Sequence, residues 1–294
     1  MAGHVAEGLP DFDDLWDYDN PAVTERKFRE LLAQTRASGN ISYLAQLLTQ
    51  IARTQGLQRR FEDAHRTLDE ADRLLTGQDA RPRIRYFLER GRVFNSSGNP
   101  GESRPLFLRA WELAKASSED FYAVDVAHMM AIIEPPEHQL EWNFKALELA
   151  ESSSDPRARR WKGSLYNNLG WNYFDAMQYE KALEIFHKAL RWREEQQSLK
   201  EIRIAKWCVA KTLRMLGRVE EALEMQKVLL DEYERIREKS GYVYEELGEC
   251  LLAVGRRDEA RRFFSQAYNE LSKDEWLVAN EPDRLKRLDE LGKS

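Results

Sequence analysis

The sequence predicts an all-α chain: a solenoid of antiparallel helix pairs stacked along one axis. Three observations predict it. Between Tyr166 and Ala189 the chain reads Tyr166-x2-Leu169-Gly170-x2-Tyr173, then Ala182-x3-Phe186-x2-Ala189. The first four residues follow i, i+3, i+4, i+7 and share one helix face. The same spacing returns five more times in weaker form, and an internal period of this kind marks a stacked array. Over 294 residues, 42% are apolar and 33% charged, which suits an array with a large exposed helical surface.

The elements follow in order. Residues 1–20 form an acidic and aromatic N-terminal segment, of which residues 1–10 carry too few apolar groups to order themselves. Asn20-Pro21 begins a helix through about Arg36, within a capping half-repeat at residues 21–40 whose Phe28 and Leu31 can cover the first full hairpin. About six hairpins occupy residues 41–272. The small residue that lets each second helix approach the first is Ala182 in the clearest copy, and its counterparts are Ala64, Ser103, Gln139, Ala222 and Ala260. The steps between them are 39, 36, 43, 40 and 38 residues, enough for two helices and two short turns.

The second copy keeps Phe87, Gly91, Phe94, Phe107 and Ala110, while the third is weakest, with Gln139 and Asn143 at its small and aromatic positions. The fifth keeps Leu213, Gly217 and Ala222 but has Gln226 where Phe is expected. The sixth reads Tyr244-x2-Leu247-Gly248-x2-Leu251, then Ala260-x3-Phe264-x2-Ala267. Gly170 sacrifices about 1 kcal/mol of helix propensity relative to Ala, which is tolerable if a partner helix crosses close by. Breaks fall at Glu134-Pro135-Pro136-Glu137 and at Ser154-Asp155-Pro156, and Gly217 and Gly255 sit in tight turns. A last helix from Asn280-Glu281-Pro282, carrying Leu285, Leu288 and Leu291, caps the array within residues 273–294.

At these residues the chain resembles a tetratricopeptide repeat protein, in a long-repeat variant with about six repeats covering roughly residues 41–272. The resemblance implies a right-handed α-α superhelix whose first helices line a concave surface that contacts extended peptides. The stripe implied for that groove is Thr49, Arg53 and Gly56; Leu88, Arg92 and Asn95; Val124, His128 and Ala131; Asn167, Trp171 and Phe174; Trp207, Lys211 and Arg214; Glu245, Glu249 and Leu252. Its candidate peptide contacts are Arg53, Arg92, Asn95, His128, Asn167, Trp171, Phe174, Trp207, Lys211 and Arg214. Arg suits carboxylates, Asn can hold both a peptide N–H and C=O, and Trp is a common hot-spot residue. The Lys/Asn carboxylate clamp of some family members has no matching form here, so binding of chaperone C-termini is not implied.

Other classes are disfavoured. A net charge of -6 and a pI near 5.6 argue against bulk attraction to nucleic acid or an anionic membrane. The N-terminus lacks a basic start followed by an apolar run, and no stretch approaches a membrane span, so a cytoplasmic protein is expected. Cys208 and Cys250 cannot build a disulfide framework and read as packing residues. Glu62-x-x-His65 and Glu184-x-x-His187 each match half of a di-iron motif but lie three repeats apart, so no metal site is expected. The terminal Gly292-Lys293-Ser294 lacks the first glycine and the helix of a phosphate loop. Neither a catalytic constellation nor a cofactor site is expected.

Residues Asp11–Asp19 place five Asp among Phe12, Leu15, Trp16 and Tyr18, a pattern of amphipathic interaction segments. They either dock on the chain's own groove or seal the first hairpin. Two functions fit: an adaptor that binds an acidic or extended peptide of a protein partner, and a receptor whose curvature responds to a ligand or peptide. Homo-oligomerisation through the capping helix could accompany either.

Overall fold

A computed structural model describes residues 9–75 and 79–293. It divides into two compact units, Met1–Trp161 and Lys162–Ser294. Among the described residues every regular element is a helix.

In the first unit a 3-10 turn, Phe12–Leu15, precedes α1 (Pro21–Ser38). Three hairpins follow: α2 (Ile41–Leu57) with α3 (Phe61–Arg73), α4 (Ala80–Ser96) with α5 (Pro100–Ala116), and α6 (Asp120–Ile133) with α7 (Pro136–Ser152). A short α8 (Pro156–Arg160) ends the unit. The second unit pairs α9 (Lys162–Asp175) with α10 (Tyr179–Glu195), α11 (Leu199–Met215) with α12 (Val219–Arg235), and α13 (Gly241–Ala253) with α14 (Arg257–Leu271). It closes with α15 (Glu275–Asn280) and α16 (Pro282–Lys293), where the sequence suggested one capping helix.

The hairpins keep one register. Ala64, Ser103, Gln139, Ala182, Ala222 and Ala260 each stand three residues after the first residue of their own helix. Five of them are buried, and the third hairpin's Gln139 is half-buried with its amide donating to the Glu134 carbonyl at 3.0 Å. The close approach needed beside Gly170 is real: a Cβ there would lie 2.4 Å from Cε1 of the fully buried Phe186. Gly91 meets Phe107 and Gly248 meets Phe264 in the same way, so the Gly–Phe pair is the packing unit of three hairpins.

In the fifth hairpin Gln226 takes the phenylalanine's place; it is fully buried, and among the described residues its amide nitrogen and oxygen meet no hydrogen-bond partner. An unpaired buried amide costs about 1–3 kcal/mol. Gln226→Met, close in volume and free of polar hydrogen, is therefore expected to raise the unfolding free energy by about 1 kcal/mol or more. Chemical denaturation monitored by circular dichroism checks this, and a lower midpoint would refute it.

The turns repeat as closely as the helices. Five hairpin turns close with the same bond, from the amide of Arg60, Asn99, Gln178, Arg218 and Arg256 to the carbonyl five residues back, each at 2.9 Å. This is the Schellman closure, which needs a left-handed residue just before the donor. Gly98, Gly217 and Gly255 supply it without strain, with φ of 84°, 78° and 78°. The third hairpin lacks this turn because Pro135 and Pro136 begin α7 from an extended backbone.

At the amino end, Phe28 of α1 is fully buried in a cluster with Phe12, Tyr43, Leu44 and Leu47. Leu9 belongs to the same cluster, so order begins earlier than its composition suggests; residues 1–8 lie outside the described residues. At the carboxyl end α16 packs on α14, with Leu285 and Leu288 buried and Leu291 against the same cluster. Asp155 and Asp274 cap α8 and α15 through their side chains.

Candidate peptide-binding faces

The ten stripe residues divide between the units: Arg53, Arg92, Asn95 and His128 in the first, and Asn167, Trp171, Phe174, Trp207, Lys211 and Arg214 in the second. All ten are half-buried, as expected of side chains lining a face.

In the first unit the cations are already paired. Arg53 Nη1 donates to both carboxylate oxygens of Glu89 at 3.2 Å. Arg92 donates to Glu89 Oε1 at 2.6 Å and also to Asp125. Glu89 and Asp125 are buried, so α2, α4 and α6 are tied by a cation–acid chain of zero net charge. Arg53 and Arg92 therefore do not await a negatively charged guest as free cations, which revises the expectation from their sequence positions. His128 packs its ring 5.1 Å from Trp161. Burial first, and then Arg92, lower its pKa against the pull of Asp125. Asn95 lies in the last turn of α4.

Residues 10–18 lie across this face. The Tyr43 hydroxyl donates to the Pro10 carbonyl at 2.8 Å, and the Phe12 ring meets the Tyr43 ring edge-on at 5.0 Å. Asp13 pairs with Arg85 of α4, whose Nε donates to the Tyr122 hydroxyl of α6 at 2.7 Å. Trp16 Nε1 donates to Gln50 Oε1 at 3.1 Å, and Trp16 stacks on Tyr18 at 4.6 Å. The Arg53 guanidinium sits 5.8 Å and 5.6 Å from those two ring centres. The segment thus does both things the sequence left open: Phe12 seals the first hairpin, and Asp13, Trp16 and Tyr18 occupy the stripe.

In the second unit the same face carries a row of aromatic rings. Phe174 lies 5.0 Å from Trp171, Trp171 lies 5.9 Å from Trp207, and Trp207 lies 5.8 Å from Tyr242. Trp207 Nε1 donates to the Tyr242 carbonyl at 3.0 Å, which ties α11 to α13. Lys211 Nζ stands 5.2 Å from the Trp207 ring centre and donates to Glu246 at 2.6 Å. Arg214 binds the same carboxylate in a fork, at 2.8 Å and 3.1 Å. Burial disfavours the charge of Glu246, but Arg214 and Lys211 outweigh it and hold the carboxyl below its ordinary pKa. Glu249, one turn further along α13, adds its own attraction to Arg214 and in turn binds Arg287. Asn167 accepts a weak bond from the Cys208 thiol at 3.8 Å. It also lines a cavity with Ser164, Asn168, Arg193 and Glu201.

Sequence reasoning missed Arg85 and Tyr242. Both lie on the stripe seven residues before Arg92 and Glu249, two turns toward the helix start, so extending the stripe would have found them. It also missed the buried acids Glu89, Asp125 and Glu246, which stand three residues before the stripe position.

Burial pushes the thiols of Cys208 and Cys250 up to about 12, so neither is a thiolate at neutral pH. Among the described residues no group of three His, Cys, Asp or Glu could hold a metal ion, and no helix is long and apolar enough to cross a membrane.

A family model described as tetratricopeptide repeat matches residues 163–195, the α9–α10 hairpin. No curated protein sequence matches the chain. Solved structures do. RapI in its apo form is similar at a TM-score of 0.71 and 12% identity, over 90% of this chain and 76% of that one. A signal-transduction ATPase of the STAND class with a tetratricopeptide repeat sensor, from Pyrococcus horikoshii, gives 0.70 and 14% over 92% of this chain; the alignment spans 43% of that longer protein. NprR in complex with its cognate peptide NprX gives 0.55 and 16% over 94% of this chain and 81% of that one. The matched repeat lies within six hairpins of one register, and the fold as a whole is similar to that of tetratricopeptide repeat structures.

Proposed function

We propose that this chain is a non-catalytic interaction module that takes up an extended peptide of a protein partner along its first helices. The observation that carries the reading is the row of rings Phe174, Trp171, Trp207 and Tyr242, which crosses α9, α11 and α13. Such a row is more apolar than a solvent-facing surface needs, and half-buried Trp is the residue type most often found at binding hot spots. Beside it Lys211 and Arg214 keep about a fifth of their side-chain exposure and offer donors to a peptide with acidic side chains or a terminal carboxylate.

A second reading has its own support. NprR, of the same fold, has been solved with a cognate peptide, so a receptor whose curvature shifts on peptide binding is the alternative. The two are separated by solution scattering: a receptor changes its profile when the peptide binds, and an adaptor does not.

The test of peptide uptake is affinity capture with wild type and with Trp171→Ala/Trp207→Ala, after circular dichroism shows equal helicity. A protein retained by wild type and lost by the variant is the expected result. Equal retention would move the contact to the second helices or the caps and overturn the reading.

A further inference from the structure

The first unit differs from the second in one respect: its peptide-facing surface is already covered, and the cover is part of this chain. Along both faces the stripe cations find their acids inside the array. Arg53 has Glu89, Arg92 has Glu89 and Asp125, and Lys211 and Arg214 have Glu246. Arg85 is the exception. It is buried on the same face of α4 as Glu89 and Arg92, and its carboxylate partner is Asp13 of the N-terminal segment. Burial opposes its charge, while Tyr122 and Asp13 together raise its pKa above the ordinary arginine value. Releasing residues 13–18 would leave the Arg85 guanidinium with the Tyr122 hydroxyl and the Phe12 ring, beside the open face of Arg53. A surface in that state attracts an acid and, a few residues on, an aromatic side chain.

We propose that this face is a docking site for an acidic–aromatic peptide of a partner protein, and that residues 13–18 are a resident stand-in which such a peptide displaces. The chemistry recognised is read from the occupant. An acid salt-bridges Arg85. An aromatic ring three residues later donates or stacks at Gln50 and Arg53, and a second ring two residues beyond stacks on the first. Leu9 and Phe12 lie in the core of the first hairpin. They stay in place as the anchor when the outer part of the segment is released. A tethered occupant sits at an effective concentration on the order of millimolar, so only a closely matched or locally abundant peptide competes with it. The proposal rests on the peptide-binding reading above but concerns the other unit, so the two can fail separately.

The probe is a fluorescein-labelled synthetic peptide with the sequence of residues 10–19, titrated by anisotropy against the full chain and against full-chain Asp13→Ala/Trp16→Ala/Tyr18→Ala. The variant keeps Leu9 and Phe12 and is expected to bind the peptide at least about tenfold more tightly than wild type, since a site closed nine-tenths of the time loses that factor. Adding Arg85→Gln to the variant should abolish the gain, and adding Trp171→Ala/Trp207→Ala should leave it intact. Equal or absent binding in wild type and variant would show that the segment is a structural seal and would overturn the proposal. Binding lost with Trp171→Ala/Trp207→Ala and kept with Arg85→Gln would also overturn it, while supporting peptide uptake by the second unit. If the triple variant loses helicity, Trp16→Ala alone serves: a tightening of about threefold or more supports displacement, and no change refutes it.

Discussion

Phe186→Ala is expected to lower the stability of the second unit by about 3–5 kcal/mol, among the largest single-residue effects in the protein. The ring is fully buried, packs 5.4 Å from Trp171, and lies where a Cβ on Gly170 would clash with it. Truncation removes the apolar transfer energy of a phenyl group and leaves a cavity whose wall at Gly170 has no side chain to fill it. In a unit of this size the loss corresponds to a fall in Tm of roughly 10–20 °C. The pairing makes a sharper claim. Gly170→Ala alone should destabilise, because overpacking a buried ring costs about 1–3 kcal/mol and outweighs the gain in helix propensity of about 1 kcal/mol. Made in the Phe186→Ala background, the same change should stabilise by about 1 kcal/mol, because the clash has gone and the propensity remains. A double-mutant cycle with additive energies would disprove the Gly–Phe account of the hairpin.

Glu246→Gln is expected to cost about 3 kcal/mol at neutral pH, because it leaves Lys211 and Arg214 half-buried with no carboxylate to meet. The lower end of the range for broken buried pairs is apt, since the two cations keep about a fifth of their side-chain exposure. The same pair predicts the pH response. The folded-state pKa of Glu246 lies below the ordinary value of 4.5, so its stabilisation is complete above that value and is lost as pH falls through the lower, folded pKa. Wild type should therefore lose stability in acid more steeply than Glu246→Gln, and the two denaturation curves should converge as pH falls through the folded-state pKa. Parallel curves across that range would show that the carboxylate is not ionised in the folded protein.

What the sequence made legible followed from geometry within one helix or one hairpin. The small residue, the aromatic four positions on and the turn glycines are all spaced along the chain; at Gln139 and Asn143 that spacing left the register open, and the fold fixes it with Gln139 three residues into α7. The stripe cations were legible for the same reason. Most of their partners were not, because for Arg53, Arg92 and Lys211 the acids Glu89, Asp125 and Glu246 belong to the next hairpin, and the bond runs across the stack where no chain spacing records it. Arg92 with Glu89, three residues apart in α4, is the pair a helix spacing does record. That is why the cations read as an open invitation to an anion while the fold has them satisfied. The short α8 and α15 escaped notice because five and six residues are too few to show a helical period. The N-terminal segment read correctly as amphipathic, but only the fold brings Asp13 to Arg85, seventy-two residues away in sequence.

The ion pairs between successive hairpins have a direction. In α2, α4 and α11 the stripe residue gives a cation to an acid three places before the stripe of the next first helix. In α13 the sign reverses: Glu249, at the stripe, pairs with Arg287, and Glu245 with Arg284, both on α16. A repeat like α4, with an acid to receive and a cation to give, matches a like neighbour on either side, so the array could be lengthened by copying it. After α13 such a copy would set acid against acid. The charge pattern thus distinguishes repeats that match a copy of themselves from α13, whose two acids match the two arginines of α16.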